Sequence, residues 1–308
     1  MKQFIIVLLL SFFMYSCGND EYDWIDRSKH EGLINLNYSQ NFEIYATQSN
    51  PENIKATIEN LEFAKAYYDK IFNENLNFAV LFVDNKNWDK YAFSPPPGMP
   101  QAYHKGNMVL GLGKSVMAMN AEQSIHYMPE KAIQTLKTHF GQNIDLDKFF
   151  RDGLALHELG HLYQFYRTSN TAQRQWLNEL FGNLCQVGAA KSMKDKTVFN
   201  QMDIYQNLLI QGNQWGNLKY TSLEQFERNY FDVMIDGRNY GWYQTRFYTI
   251  AKKLHNTYGD EIISKFLEFL ITSDPATFGK VSDQQLNTIL LNKFGPEVVN
   301  TLEWEHSN

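Results

Sequence analysis

The sequence predicts an α+β fold, with a small strand-rich part over 33–115 followed by a mostly helical part over 120–308. Three observations predict it. Alternating or short apolar runs bounded by polar residues cluster before residue 115. Helical recurrence of apolar residues dominates from 123 onward. No internal repeat or low-complexity linker divides the chain after the N-terminal region. Strands first and helices afterwards favour α+β over an alternating parallel sheet. The 308 residues, 44% of them hydrophobic, suffice for a sizeable core, and 33–308 reads as a single domain.

The elements follow in order. Phe42-Glu43-Ile44-Tyr45-Ala46 alternates and suggests a strand within 33–48. Over 51–74, Ile54, Ile58, Leu61, Ala66, Tyr67 and Phe72 recur at helical spacing behind Pro51. Phe78 to Val83 and Met108 to Leu112 are short apolar runs, read as strands. Between them Ser94-Pro95-Pro96-Pro97-Gly98-Met99-Pro100 holds four of the eight prolines, so it is loop, either a stiff surface loop or the rim of a cleft. Helical periodicity or a strong apolar face then marks 145–166, 174–192, 196–211, 240–257, 259–272 and 282–294.

At the N-terminus, Lys2 precedes an apolar run from Phe4 to Phe13 that is short for a membrane span, and Ser16 stands directly before Cys17. Residues 1–16 resemble a bacterial lipoprotein signal peptide. That resemblance implies lipidation of Cys17 (palmitate among the acyl groups) and a polar tether over 17–32. It also implies a lipid-anchored protein of the bacterial cell envelope, periplasmic or surface-exposed. A plain secretory signal or an uncleaved anchor is the alternative. Asp20-Glu21-Tyr22-Asp23 resembles the acidic tags of some surface-exposed lipoproteins, or is a short acidic linker. With Cys17 lipidated, only Cys185 remains and no intrachain disulfide forms. Cys185 lies in an apolar helical stretch and reads as a small buried hydrophobe. The formal charge of −6 without a basic cluster argues against a nucleic-acid partner.

His157-Glu158-Leu159-Gly160-His161 carries the chemistry. Residues four apart share a helix face, so both imidazoles can aim at one ion, here Zn²⁺. Glu158 is offset by about 100°, beside the ligand face, where a general base belongs. Leu154, Ala155 and Leu156 before the motif and Leu162, Tyr163 and Phe165 after it supply helical context. With eight histidines in the chain, a chance match has a probability on the order of 1%. Gly160 costs the helix about 1 kcal/mol relative to alanine, or serves close backbone approach. A catalytic zinc needs a third protein ligand. Gln164 and Arg167 occupy the positions where an extended histidine motif would place its glycine and third histidine, so an acidic ligand is preferred.

Trp176-Leu177-Asn178-Glu179 resembles the segment that supplies the ligand glutamate in gluzincins, above all the aminopeptidase N family. The spacing from the second histidine, residues 162–178, matches that family to within one residue. The resemblance implies a gluzincin-like catalytic domain with Glu179 as third ligand to one zinc ion. Thermolysin-like relatives carry an aspartate one turn later that buttresses a histidine. Asn183 stands there, and either its carbonyl accepts the same hydrogen bond or it is a plain helix-surface amide. Tyr243-Gln244-Thr245-Arg246-Phe247, leading to Tyr258-Gly259, is similar to the family's tyrosine-bearing segment. That similarity implies Tyr243 as the oxyanion-stabilising hydroxyl, with Tyr240 second in line. The strand at 106–112 falls where gluzincins place the edge strand that pairs with a peptide substrate. It lacks the glutamate with which aminopeptidases hold a substrate amino terminus. The resemblance spans 75–272 and is closest to the broad peptidase MA-like group. It implies a zinc-dependent endopeptidase. A tethered zinc-binding scaffold and a zinc hydrolase of a non-peptide bond are the rival readings.

Overall fold

A computed structural model describes residues 23–94, 96–169, 171–213 and 215–302. The expected signal peptide at 1–16 and Cys17 lie outside the described residues.

The architecture is mixed α+β with one small sheet. Strands β1 (Ile34–Asn35), β2 (Glu43–Ala46), β3 (Ala79–Val83), β4 (Gln101–Tyr103) and β5 (Asn107–Gly111) lie in the order β1-β2-β3-β5-β4. β2, β3 and β5 run parallel, and β1 and β4 close the two edges antiparallel. The central strands are buried on both faces, which is why they read as unbroken apolar runs. Val80, Phe82, Met108 and Leu110 point into the main core, whereas Ala79, Leu81, Val83 and Val109 point to a smaller cluster with Ile25 and Trp88. Helix α1 (Lys55–Phe72) makes the crossover between β2 and β3 and ends on Asn73 in the left-handed region.

The strand at 106–112 is not an edge. β5 is bonded to β3 on one side and β4 on the other, so it has no free edge for a peptide. On that side the edge strand is β4, three residues long directly after the proline-rich loop, too short to leave a periodic signal. Nor is all of 17–32 a tether. Within its described part, Ile25 is 3% exposed, Trp24 Nε1 donates to the Asn77 carbonyl (2.6 Å), and Arg27 Nη2 donates to Glu43 Oε1 (2.6 Å). A 3₁₀ turn at Arg27–His30 follows, and His30 Nε2 lies 2.8 Å from Asn107 Oδ1. Polar side chains disguised this segment, because its few apolar residues cap the outer face of the sheet.

The helical part comprises short α2 (Trp88–Tyr91), then α3 (Val116–Ser124), α4 (Glu130–Phe140), α5 (Leu154–Arg167), α6 (Gln175–Ser192), α7 (Thr197–Gly212), α8 (Leu223–Arg228) and α9 (Tyr230–Ile235). It continues through α10 (Gly237–Tyr258), α11 (Glu261–Thr272), α12 (Pro275–Phe278), α13 (Asp283–Phe294) and α14 (Pro296–Leu302). A π-helical stretch, Lys148–Gly153, feeds directly into α5. α6 is the central helix: fourteen of its residues are buried, between α5 on one side and α10 on the other. Among the described residues no helix is long and apolar enough to cross a membrane.

Candidate metal centre

α5 presents His157 and His161 one turn apart, and α6 presents Glu179 to both. The two Nε2 atoms lie 2.9 Å apart, and His157 Nε2 lies 3.6 Å from Glu179 Oε2. All three residues are buried, with one ligand atom of each inside a 4.8 Å group. No other group of three such side chains within reach of one ion occurs among the described residues.

Two glycines let the helices come this close. A β carbon on Gly160 would sit 2.5 Å from Cys185 Cβ, and one on Gly182 would sit 2.5 Å from His157 Nε2. Neither position accepts a methyl group, so the lower helix propensity of glycine is offset by direct α5–α6 contact. Cys185 is fully buried in that contact and its thiol is pushed well above its usual range by burial, as expected of a packing residue.

The ligands are held from outside. Glu179 Oε1 accepts from Tyr230 (2.8 Å), and Oε2 accepts from Gln244 Nε2 (2.7 Å) and Tyr240 (3.1 Å). Asn183 does not receive a histidine. Its Nδ2 donates to Gln244 Oε1 (2.9 Å) and to the Glu179 carbonyl (2.8 Å), so it braces the glutamine that braces Glu179. His161 Nδ1 lies 3.1 Å from Gln164 Oε1, and Gln164 Nε2 donates to Asn178 Oδ1 (2.6 Å). His157 Nδ1 is buried without a hydrogen-bond partner among the described residues.

Tyr243 is not at the cluster. It is fully buried, its hydroxyl donates to the Ser222 carbonyl (2.7 Å), and its ring packs on Phe226. The tyrosines that reach Glu179 are Tyr240 and Tyr230. Sequence reading missed Tyr230, Gln244 and Gln164. Gln244 follows Tyr240 by four residues, so the two share a helix face, and that phase was the available signal.

The electrostatics favour a positive charge where the three ligand atoms meet. Burial disfavours the charged form of His157, but the nearby Glu179 and Glu158 carboxylates outweigh it and raise its pKa above the usual value. His161 is driven down to about 4, first by burial and then by the charge of His157. Burial alone would raise Glu179, yet the two imidazoles hold it below the usual carboxylate range. The carboxylate thus favours a positive charge at His157, while burial and that same charge disfavour one at His161. A divalent cation meets the same demand better, because it engages all three at once, and two neutral imidazoles with a carboxylate are ordinary zinc donors. The donor set fits the metal.

Glu158 faces a cavity of about 1020 Å³ that also exposes His157, Asn183, Tyr240 and Gln244 and extends between α4, α7 and α10. Burial pushes its carboxyl up to about 7, and the amide of Ala102 on β4 donates to its Oε2 (2.7 Å). The proline-rich loop adds Met99 to the cavity wall, so it is a cleft rim.

No family model matches the chain, and no curated protein matches it either. Among solved structures it is similar to the M1 zinc metallopeptidase from Deinococcus radiodurans, at 15% identity and a TM-score of 0.43, over 87% of this chain and 49% of that one. The chain thus spans about half the length of that enzyme.

Proposed function

We propose that the chain is a zinc-dependent endopeptidase of gluzincin type. His157, His161 and Glu179 hold one zinc ion, and Glu158 is the general base. The observation that carries this reading is the convergence of three buried zinc donors from two helices, with a glutamate of raised pKa beside them on a large cavity.

Zinc held there supplies Lewis acidity, polarising a carbonyl and lowering the pKa of water toward about 7. The chain's own groups do the rest. Ala102 N–H fixes Oε2 of Glu158, leaving Oε1 to take a proton from the attacking water and pass it to the leaving amine. Tyr240 lines the cavity, and its pKa is raised well above the usual value by burial and by the charges around it, so it stays a donor. We assign it, in place of Tyr243, the hydrogen bond to the developing oxyanion, for which its single O–H turns away from Glu179 Oε2, an oxygen that Gln244 still holds. The outer edge of β4 offers a substrate backbone the Ala102 carbonyl, since the Ala102 N–H is taken by Glu158. Neither β4 nor β5 carries an acidic residue to hold a substrate amino terminus, which supports endo- over aminopeptidase action.

The test combines elemental analysis with peptide hydrolysis, with and without chelator. One zinc per chain and chelator-sensitive cleavage are expected. Stoichiometric zinc without hydrolysis of any peptide would leave a scaffold or a hydrolase of another bond. We also propose lipid attachment at Cys17. Metabolic labelling with a palmitate analogue should mark the protein and fail in Cys17→Ser; equal labelling of both would end that idea.

A further inference from the structure

Gln164 stands where an extended histidine motif would place its glycine. It is 3% exposed and follows His161 by three residues, on the same face of α5. Its Oε1 faces His161 Nδ1 at 3.1 Å, and its Nε2 donates to Asn178 Oδ1 at 2.6 Å. Asn178 Nδ2 donates in turn to Gln175 Oε1, a long bond of 3.4 Å. The line of amides thus runs from a metal-facing imidazole on α5 to the first turn of α6, just ahead of Glu179. Phe165 stacks on the His161 ring, with centroids 5.6 Å apart and planes 11° apart, which limits its tilt. Of the two imidazoles only His161 has a partner for its far nitrogen, since His157 Nδ1 has none among the described residues.

We propose that Gln164 is a positioning residue that sets the tautomer and orientation of His161 through an uncharged amide relay with Asn178 and Gln175. This rests on the zinc-centre reading above and deepens it. A ligating nitrogen must present a lone pair, so with Nε2 turned to the cluster the ring proton belongs on Nδ1. Gln164 Oε1 accepts from that N–H. Were the amide turned over, its own N–H would oppose Nδ1 and put the ring proton on Nε2, where it blocks ligation. The relay resists that turn. Gln164 Nε2 meets an oxygen of Asn178, and Asn178 Nδ2 meets an oxygen of Gln175, so reversing Gln164 requires both partners to reverse as well. The relay is also neutral. A carboxylate beside Nδ1 would raise the basicity of the ring as well as orient it, whereas a carboxamide orients it alone. Glu227, at the far end, caps α6 instead, its Oε2 accepting from the Gln175 main-chain N–H at 2.6 Å.

The experiment reads metal affinity and a ring proton, apart from turnover. Chelator competition gives zinc affinity, thermal unfolding gives metal-free stability, and side-chain proton–nitrogen spectra of zinc-loaded protein give the His161 Nδ1–H shift. Gln164→Met keeps the volume and removes the acceptor. Zinc affinity should fall roughly 10–100-fold and the Nδ1–H signal should move upfield. Gln164→Glu should rescue both. As an acid its O–H donates to Asn178 as the amide does, and as a carboxylate it accepts from Nδ1 while Asn178 turns. Its affinity should stay within about threefold of wild type or exceed it. Asn178→Leu leaves Gln164 present but free to turn, and should lose part of the same affinity. A merely structural bridge between α5 and α6 predicts that Gln164→Glu and Gln164→Met weaken zinc alike, in step with metal-free stability. That result, an unmoved Nδ1–H signal in Gln164→Met, or wild-type affinity in Gln164→Met or Asn178→Leu overturns the proposal. A wild-type chain that binds no zinc sinks the metal centre and the relay together. The expected pattern in a protein that cleaves no peptide keeps the relay and sinks the peptidase.

Discussion

Gly182→Ala separates the metal site from the fold. The added methyl would lie 2.5 Å from Nε2, 2.6 Å from Cε1 and 2.8 Å from Cδ2 of His157, where ordinary contact begins at 3.4 Å. The ring must therefore retreat by about 0.9 Å, since the methyl is fixed to the α6 backbone. Zinc ligation tolerates displacements of only about 0.2 Å. One donor of three is lost, which exceeds the roughly 10–100-fold penalty for disturbing a ligand's support alone. A fall in zinc affinity of at least about 100-fold, or ~2.7 kcal/mol, is expected. The metal-free fold responds otherwise. Alanine favours the helix by about 1 kcal/mol, and the displaced ring costs about 0.5–1.5 kcal/mol, so apo stability changes little. Competition with a chromophoric chelator measures the first quantity, and thermal unfolding of metal-free protein measures the second. Wild-type zinc affinity in an intact Gly182→Ala protein would refute this account of the α5–α6 contact.

Further expectations concern the same centre. Glu158→Gln should keep its zinc and lose hydrolysis by about 10²–10⁴-fold, because it removes the base and not a ligand; comparable turnover would remove Glu158 from the chemistry. Tyr240→Phe should lower kcat by about 10²–10³-fold, while Tyr243→Phe, whose hydroxyl sits on the Ser222 carbonyl, should affect mainly stability. The reverse ranking in kinetic assays would restore Tyr243. Gly160→Ala should destabilise the fold by about 1–3 kcal/mol, since its methyl meets Cys185 Cβ at 2.5 Å, and added Cys185→Gly, which removes the atoms it meets, should recover part of that loss in thermal unfolding. Zinc affinity should fall with acid. The raised pKa of His157 means that zinc displaces a proton there, so affinity drops about tenfold per pH unit below that pKa and levels off above it. Chelator competition across pH 5 to 8 that gave a flat profile would contradict this.

Much of the fold was legible because its elements are long or strongly patterned. α1, α6, α10 and α13 all fall within a few residues of their apolar periodicity. β3 and β5 announced themselves as apolar runs because helices and the N-terminal segment cover both faces of the sheet. What escaped was short or held in place from a distance. β4 has three residues and exists because β5 gives it a ladder. α8 and α9 have six residues each and gain order from a capping box at Ser222 and from packing of Phe226 and Val233. The stretch 23–32 folds back with only Trp24 and Ile25 as apolar anchors beside its polar contacts, too few apolar residues for any periodicity to show.

The metal site divides along the same line. The two histidines and Glu158 are a local arrangement, fixed by helix geometry once α5 forms. Glu179 is not local, and its placement depends on how closely α6 can dock. The chain does carry that information, in Gly160 and Gly182, two glycines inside helices that would be about 1 kcal/mol better off with alanine at each place. Their cost makes sense only if something large approaches: a cysteine β carbon in one case and a ligand imidazole in the other. The tyrosine was misplaced for a related reason. Motif matching selects a position in sequence, whereas a helix selects a face. On α10 the face toward Glu179 is marked by Tyr240 and Gln244, four apart, and Tyr243 is turned from it toward Phe226. Gln244 fixes that phase, because its amide bridges Asn183 and Glu179 and so locks which side of α10 meets the metal centre.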